Sequence, residues 1–93
     1  MKTNIHDILV KELFDFHSMA AMIWLVDRGR ELEFTYGNKK GFISKDKSAK
    51  HVSLWIEENE QAFASTEELI INAIINGETF ISIWNEIQLE TLF

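Results

Sequence analysis

The side chains that most often carry chemistry are thinly spread along this chain. The three histidines, His6, His17 and His51, stand far apart, and there is no cysteine. Zinc sites need clustered ligands, and neither HxxxH nor HExxH spacing occurs. The four glycines form no phosphate-binding loop of the GxGxxG or GxxxxGK[ST] type, and no GxSxG motif exposes a serine nucleophile. We therefore expect no metal, no cofactor and no enzymatic activity.

Carboxylates are the most numerous reactive groups, and their distribution is uneven. The net charge is −6, and residues 51–93 contain eight acidic residues and no Lys or Arg, whereas residues 28–50 contain seven basic and three acidic residues. Such asymmetry indicates the kind of partner a protein meets, although acids on solvated faces also simply maintain solubility. We predict a partner protein with a basic surface. The predicted partner-binding residues are Trp55, Glu57, Glu58, Glu60, Glu67, Glu68 and Glu78.

Trp55 joins this set because of strand alternation. In HVSLWIEE, Val52, Leu54 and Ile56 fall on one face, and His51, Ser53 and Trp55 fall on the other. If the second face is solvated, Trp55 is an interaction residue, since tryptophan is enriched at binding hot spots. The other two tryptophans are expected to be core residues. In the alternative interpretation, Trp55 is a core residue as well.

Lysines near the predicted turns raise the hypothesis that the protein binds nucleic acid. Aromatic side chains interleave with these lysines, as stacking platforms would require. The aromatic residues Phe34, Tyr36 and Phe42 are nevertheless expected in the core, which leaves the lysines as solvated turn residues. We do not expect direct nucleic-acid binding. The lysines are Lys39, Lys40, Lys45, Lys47 and Lys50.

A small sheet must position Trp55 and the acids that follow it. RELEFTY alternates apolar and polar residues, GNKKG supplies turn residues, and FIS begins a return strand, which predicts a hairpin. HVSLWIEE then predicts a third strand, so that residues 31–57 form a three-stranded antiparallel meander. QAFAS is compatible with a short fourth strand.

Helices are predicted before and after this sheet. Residues 4–28 have helical periodicity with Asn4 as N-cap, and they form either one bent helix or a pair broken near His17 and Ser18. The run from Met19 to Val26 is apolar around most of its circumference. A three-stranded sheet covers only one side of such a helix, so we predict a homodimer through residues 19–26, with the monomer interior as the alternative.

Residues 65–88 are predicted to be helical. Ser65 and Glu68 have capping-box spacing, and the helix that they begin is expected to stop at Asn76-Gly77. Residues 79–87 favour a second helix capped by Thr79, although TFISIW also fits a strand. QLETLF is expected to pack as an extended tail.

These elements predict a single domain over residues 1–93 with an α+β fold, in which two C-terminal helices pack on one face of the sheet. The longest apolar run, Met19 to Val26, is far shorter than the roughly 20 residues that span a membrane. No secretory leader pattern is present, and the lack of cysteine fits a reducing compartment. We expect a cytoplasmic protein.

The segments GRELEFTYGNKKGFIS and FASTEELIINAIINGETFISIWNEI, in this order, resemble a group of short proteins of Gram-positive bacteria and of their phages and other mobile elements. In that group a REIEFTYNGKKY-type hairpin precedes a helix, an Asn-Gly or Asp-Gly pair and a second helix with tryptophan. The resemblance covers roughly residues 28–90, but YGN replaces YNG here. It implies the meander, the two helices and a genomic setting, and it carries over no catalytic residue.

Two functions from different classes are consistent with the sequence. The first is an acidic protein-binding inhibitor, of the anti-CRISPR type or another anti-defence factor, that occupies a basic surface of a nucleic-acid-handling protein. The second is a self-associating structural or regulatory module. A heterologous basic partner distinguishes the first, and a stable dimer without such a partner distinguishes the second.

Overall fold

The computed structural model describes residues 4–48 and 50–93. Residues 1–3 and 49, which the single-domain prediction also covers, lie outside the described residues. The elements, in chain order, are α1 (Ile5–Phe16), α2 (Met19–Asp27), β1 (Leu32–Tyr36), β2 (Lys39–Asp46), β3 (His51–Ile56), β4 (Asn59–Phe63), α3 (Thr66–Asn72), β5 (Ile74–Ile75), β6 (Glu78–Thr79), α4 (Phe80–Ile83), a 3-10 turn (Trp84–Glu86) and β7 (Gln88–Leu92). The α+β class predicted from the sequence is therefore confirmed.

The main sheet has five antiparallel strands in the order β4-β3-β2-β1-β7. The sequence predicted three strands, which is two fewer than the sheet contains. QAFAS lies largely within β4, and most of QLETLF, expected as an extended tail, is β7, which returns to pair with β1. This last pairing places β1 in the interior of the sheet instead of at its edge.

A bulge explains why β7 is hard to recognise in the sequence. The register with β1 shifts between Glu33 and Phe34, so that Leu89 opposes Phe34 and Leu92 opposes Leu32. The two leucines are three residues apart, which breaks the two-residue period of a strand. Both nevertheless pack against the core.

The core lies on one face of this sheet. Cross-strand neighbours share a face, and the rows Leu32, Ile43, Leu54 and Phe34, Gly41, Ile56 are all buried. Helices α2 and α3 contact this sheet, and the buried apolar residues of all four described helices join the strand residues in one cluster. The predicted packing of the two C-terminal helices differs in detail, because α2 and α3 contact the main sheet whereas α4 contacts α3 and β6.

The N-terminal helical segment is a helix pair. Helix α1 begins at Asn4, whose side chain accepts a hydrogen bond from the Asp7 amide at 2.9 Å, and ends at His17, which has a left-handed φ of 57°. Ser18 then caps α2 by accepting from the Ala21 amide at 3.1 Å. The break between the two helices folds α1 back onto α2.

His17 also joins the two ends of the chain. Its Nε2 donates to the carbonyl oxygen of Trp84 at 2.6 Å, and the Trp84 indole Nε1 donates to the carbonyl oxygen of His17 at 2.9 Å. The two ring centroids are 4.4 Å apart. The end of α1 is thereby tied to the 3-10 turn by two reciprocal hydrogen bonds and a ring contact.

The C-terminal helices are shorter than predicted. Ser65 accepts from the Glu68 amide at 3.1 Å, which confirms the predicted N-cap, but α3 ends at Asn72. Asn76 and Gly77, predicted as the end of that helix, have φ values of 57° and 82° and form the two-residue turn between β5 and β6. Consecutive left-handed residues are typical of a type I′ hairpin turn, which Asn-Gly favours.

The predicted helix over residues 79–87 is only partly helical. Residues Phe80–Ile83 form α4, and Trp84–Glu86 form the 3-10 turn. Thr79 stands at the N-cap position and makes no side-chain capping bond there. Without that bond the helix remains short, and the 3-10 turn leads directly into β7.

The reason given for a dimer through residues 19–26 holds only in part in this structure. Ala21, Met22, Leu25 and Val26 are buried within one chain, because α1 packs on α2 from one side and the sheet packs on it from another. Met19, Ile23 and Trp24 are half-buried and Ala20 is exposed, so the dimer through residues 19–26 stays a prediction. No helix in residues 4–48 and 50–93 is both long and apolar enough to cross a membrane.

Gly41 is required by a close contact. A Cβ atom built on Gly41 would lie 2.1 Å from Cζ of Phe34, its buried cross-strand neighbour. We expect Gly41→Ala to lower the free energy of unfolding by at least about 1–3 kcal/mol, the usual cost of overpacking. Urea unfolding would measure it. In a Phe34→Leu background the same change should cost less, and an equal cost in both backgrounds would contradict this account.

The reciprocal pair of His17 and Trp84 predicts a second stability effect. Trp84→Phe removes the indole donor and leaves the His17 carbonyl without it, which should cost about 1–3 kcal/mol. Trp55→Phe makes the same chemical change at an exposed position and should stay within about 0.5 kcal/mol. Far-UV circular dichroism in urea would compare the two variants, and equal losses would refute a special role for Trp84.

Candidate functional site

The sheet face opposite the core carries the candidate site, and we call it the open face. Its central cross-strand row is Glu33, Phe42, Trp55 and Glu60, contributed by β1, β2, β3 and β4 in turn. The neighbouring row includes Ser44, Ser53 and Ala62. The buried apolar side chains of the described strands and helices belong to the other face, so the open face is exposed to partners.

Trp55 lies where strand alternation placed it. Val52, Leu54 and Ile56 are buried on the core face, whereas Trp55 is 37% exposed. A tryptophan with this exposure on a solvated sheet face is an unusual use of a large apolar side chain. It marks the centre of the open face.

Phe42 was expected in the core, and that prediction was wrong. The two-residue turn at Gly37 and Asn38 pairs Tyr36 with Lys39, which sets Phe42 opposite Glu33 and next to Trp55 across the sheet. Its ring centroid is 6.1 Å from that of Phe93, which is 57% exposed. The open face therefore presents three aromatic residues.

Glu60 is more than a solvated acid. Its Oε2 accepts a hydrogen bond from the hydroxyl of Ser53 and lies 3.7 Å from Nε2 of His51. Ser53 is only 4% exposed. Glu60 was predicted to follow the third strand, and it lies in the edge strand β4, where Ser53 of β3 donates to its carboxylate.

The arrangement of these three residues differs from that of a hydrolase triad. In a triad the histidine stands between the serine and the acid and takes the serine proton. Here the carboxylate of Glu60 stands between Ser53 and His51, and the serine donates to the acid. The geometry holds a carboxylate in position and gives the serine no imidazole base.

The other predicted acids do not gather on one edge. Glu57 and Glu58 form the turn between β3 and β4, whereas Glu67 and Glu68 begin α3 after β4 has ended. The two pairs are thus separated by the length of a five-residue strand, about 14–17 Å. Glu68 also has a local role, because its Oε2 accepts from the Ala64 amide at 3.2 Å.

Lysines and acids are mixed in space although they are separated in the sequence. The Glu57 amide donates to the Lys40 carbonyl at 3.1 Å, which sets the acidic turn beside the lysines of the first hairpin. Lys45 Nζ lies 4.0 Å from Asp27 Oδ1 at the other end of the sheet. The seven basic residues of residues 28–50 therefore do not form one continuous patch.

The open face also has a shallow depression of about 160 Å³, lined by Glu33, Phe34, Thr35, Lys40 and Glu90. The Thr35 hydroxyl donates to Glu90 at 3.1 Å along its wall. Ligand pockets are typically about 300–1,000 Å³ in volume, so this depression suits a side chain of a partner better than a free ligand.

Within residues 4–48 and 50–93, no three His, Asp or Glu side chains come close enough to hold a metal ion. No family model matches the chain, and no curated protein or solved structure is similar to it. The open face is accordingly assigned from its own geometry.

Glu78, the last of the predicted acids, has a structural contact. The hydroxyl of Tyr36 donates to Glu78 Oε2 at 3.0 Å and ties β1 to β6. The pKa of Tyr36 is raised above its ordinary value of 10.0, chiefly by this hydrogen bond, then by desolvation and by the charges of Glu78 and Glu86. Because folding raises this pKa, the stabilisation is present below pH 10 and is lost as the pH rises through the folded-state value.

Tyr36 is the one tyrosine of the sequence, so its titration can be read directly. Phenolate absorbance near 295 nm should rise with a midpoint above 10, and Glu78→Gln should move the midpoint back towards 10. Glu86→Gln should have a smaller effect, since Glu86 acts only through its charge. A midpoint that Glu78→Gln leaves unchanged would show that the hydrogen bond is not the cause.

Proposed function

We propose that this chain is a small acidic binding protein without enzymatic activity, and that its open face engages a basic surface of a partner protein. The observation that carries the proposal is the exposed Trp55, set between Phe42 and the positioned Glu60 on a face opposite the core. Aromatic residues at the centre of a solvated patch are the usual anchors of protein interfaces.

Charge complementarity supports a basic partner. The open face carries five carboxylates, from Glu31, Glu33, Asp46, Glu60 and Glu90, and the side chain of Lys40. The whole chain has a net charge of −6. An acidic surface attracts a basic one over long range and accelerates encounter, while the aromatic residues supply contact area.

The partner that fits this chemistry best is a nucleic-acid-handling protein, because such proteins present basic channels to phosphate. An acidic inhibitor occupies such a channel in place of nucleic acid. The resemblance to short proteins of phages and mobile elements supports an anti-defence setting, of the anti-CRISPR type or a related one. We propose a cytoplasmic site of action on the same basis.

A second candidate function is self-association, now through α1 instead of residues 19–26. Ile5, Ile8 and Phe16 follow helical spacing along one side of α1, and they are 60%, 43% and 76% exposed. An apolar stripe on an outer helix is suited to a two-fold seam. A dimer that dissociates on Phe16→Ser would support this function.

Charge reversal tests the proposed function. Glu57→Lys with Glu58→Lys changes the turn beside the open face and spares Glu60, whose contact with the buried Ser53 would otherwise be lost. We expect little change in stability, since exposed charges contribute below about 1 kcal/mol. The association rate with a partner captured from the host should fall about tenfold or more at low salt and lose much of its salt dependence.

The matched control is Glu12→Lys with Glu86→Lys, which changes the net charge equally at two exposed acids outside the predicted partner-binding set. Surface plasmon resonance over a range of salt concentrations would compare both variants with the unmodified chain. Equal losses in the two variants would mean that only net charge matters. No loss in either would remove the acids from the binding mechanism.

A further inference from the structure

Glu60 is held more firmly than an exposed acid on an edge strand requires. A surface glutamate normally keeps its rotamer freedom, and fixing it costs up to about 2 kcal/mol of side-chain entropy. Here the hydroxyl of the buried Ser53 and the ring of His51 both face Oε2. Both of these contacts are made to Oε2, so neither occupies the second carboxylate oxygen, Oε1.

Trp55 stands directly across the strands from Glu60. Cross-strand partners have Cβ atoms about 4.5–5.5 Å apart, so a group that lies on the indole ring is within reach of the carboxylate. A cation in contact with both groups is attracted to the aromatic face by the ring quadrupole and to the fixed carboxylate by its charge.

A guanidinium fits this pair better than an ammonium. Arginine is planar, stacks on aromatic faces, is weakly hydrated and donates from a rigid fork, whereas the lysine ammonium is a compact and strongly hydrated charge. The same chain shows this geometry elsewhere. The Arg28 guanidinium carbon lies 3.7 Å from the ring centroid of Trp24, and Arg28 Nη1 donates to the Trp24 carbonyl oxygen at 3.3 Å.

We propose that Trp55 and Glu60 form a binding site for an arginine side chain of the partner, and this inference rests on the proposed function of the open face. The guanidinium stacks on the Trp55 indole and donates to Oε1 of Glu60. Ser53 acts as a positioning residue that donates to Oε2 and thereby orients the carboxylate.

Two peptides of equal charge test this site: hexa-arginine and hexa-lysine. Titration of the isotope-labelled chain with each, followed by the indole N–H resonance of Trp55, gives the two dissociation constants. Because a guanidinium both stacks on the indole and donates to the carboxylate from a planar fork, hexa-arginine should bind about threefold to tenfold more tightly than hexa-lysine.

Three variants and one control define the cause of that preference. Glu60→Gln, which still accepts from Ser53, and Trp55→Leu, which keeps apolar bulk without an aromatic face, should each remove the preference, with other amide resonances as reporters in the second variant. Ser53→Ala should reduce it. Glu58→Gln changes the net charge as Glu60→Gln does and should weaken both peptides equally while preserving the ratio.

The outcomes separate this inference from the proposed function. Equal affinity for the two peptides, or a preference that survives Glu60→Gln and Trp55→Leu, would overturn the arginine site and leave the open face as a general binding surface. A preference that Ser53→Ala leaves intact would overturn the positioning role. Failure of both peptides to shift any resonance of the open face would overturn the arginine site and the proposed function together.

Discussion

Side chains alternate along the five strands, and the chain places its large apolar groups on only one of the two faces that result. Leu32, Phe34, Ile43 and Leu54 are fully buried, and all four helices pack on their side. This one-sided burial obliges the opposite face to be polar or to be covered by something else. Trp55 and Phe42 depart from that rule, so one-sided burial does not explain the composition of the open face.

The helical side makes that face a rigid platform. His17 and Trp84 are 67 residues apart in the chain, yet they exchange two hydrogen bonds and their tilted rings are in contact, so α1 and the 3-10 turn before β7 are tied together. The buried Thr66 hydroxyl donates to Asp27 at 2.6 Å and ties α3 to α2 in the same way. Side chains on a sheet backed by such contacts lose little further freedom when a partner binds.

Local signals in the sequence predicted the structural features that depend on neighbouring residues. The features that were missed depend on how distant strands pair. Alternation predicted the face on which Trp55 lies, and the caps at Asn4 and Ser65 followed from residue type. Strand β7 was missed because its bulge separates Leu89 and Leu92 by three residues. The contact of Glu60 with Ser53 could not be predicted from the sequence either, since it exists only in the register that β3 and β4 adopt.

Charges that are segregated along the sequence are mixed in the folded chain. Antiparallel pairing sets the Glu57 turn against Lys40, and Lys45 of β2 lies 4.0 Å from Asp27, so opposite charges that are distant in the sequence become neighbours. Salt screens exposed charges beyond about a Debye length, roughly 8 Å at physiological ionic strength, so these mixed charges give a partner little directional attraction. Specificity must come from groups whose position is fixed before the partner arrives. On the open face, the carboxylate of Glu60 meets that requirement, because Ser53 is buried and donates to it, and Trp55 lies directly across from it.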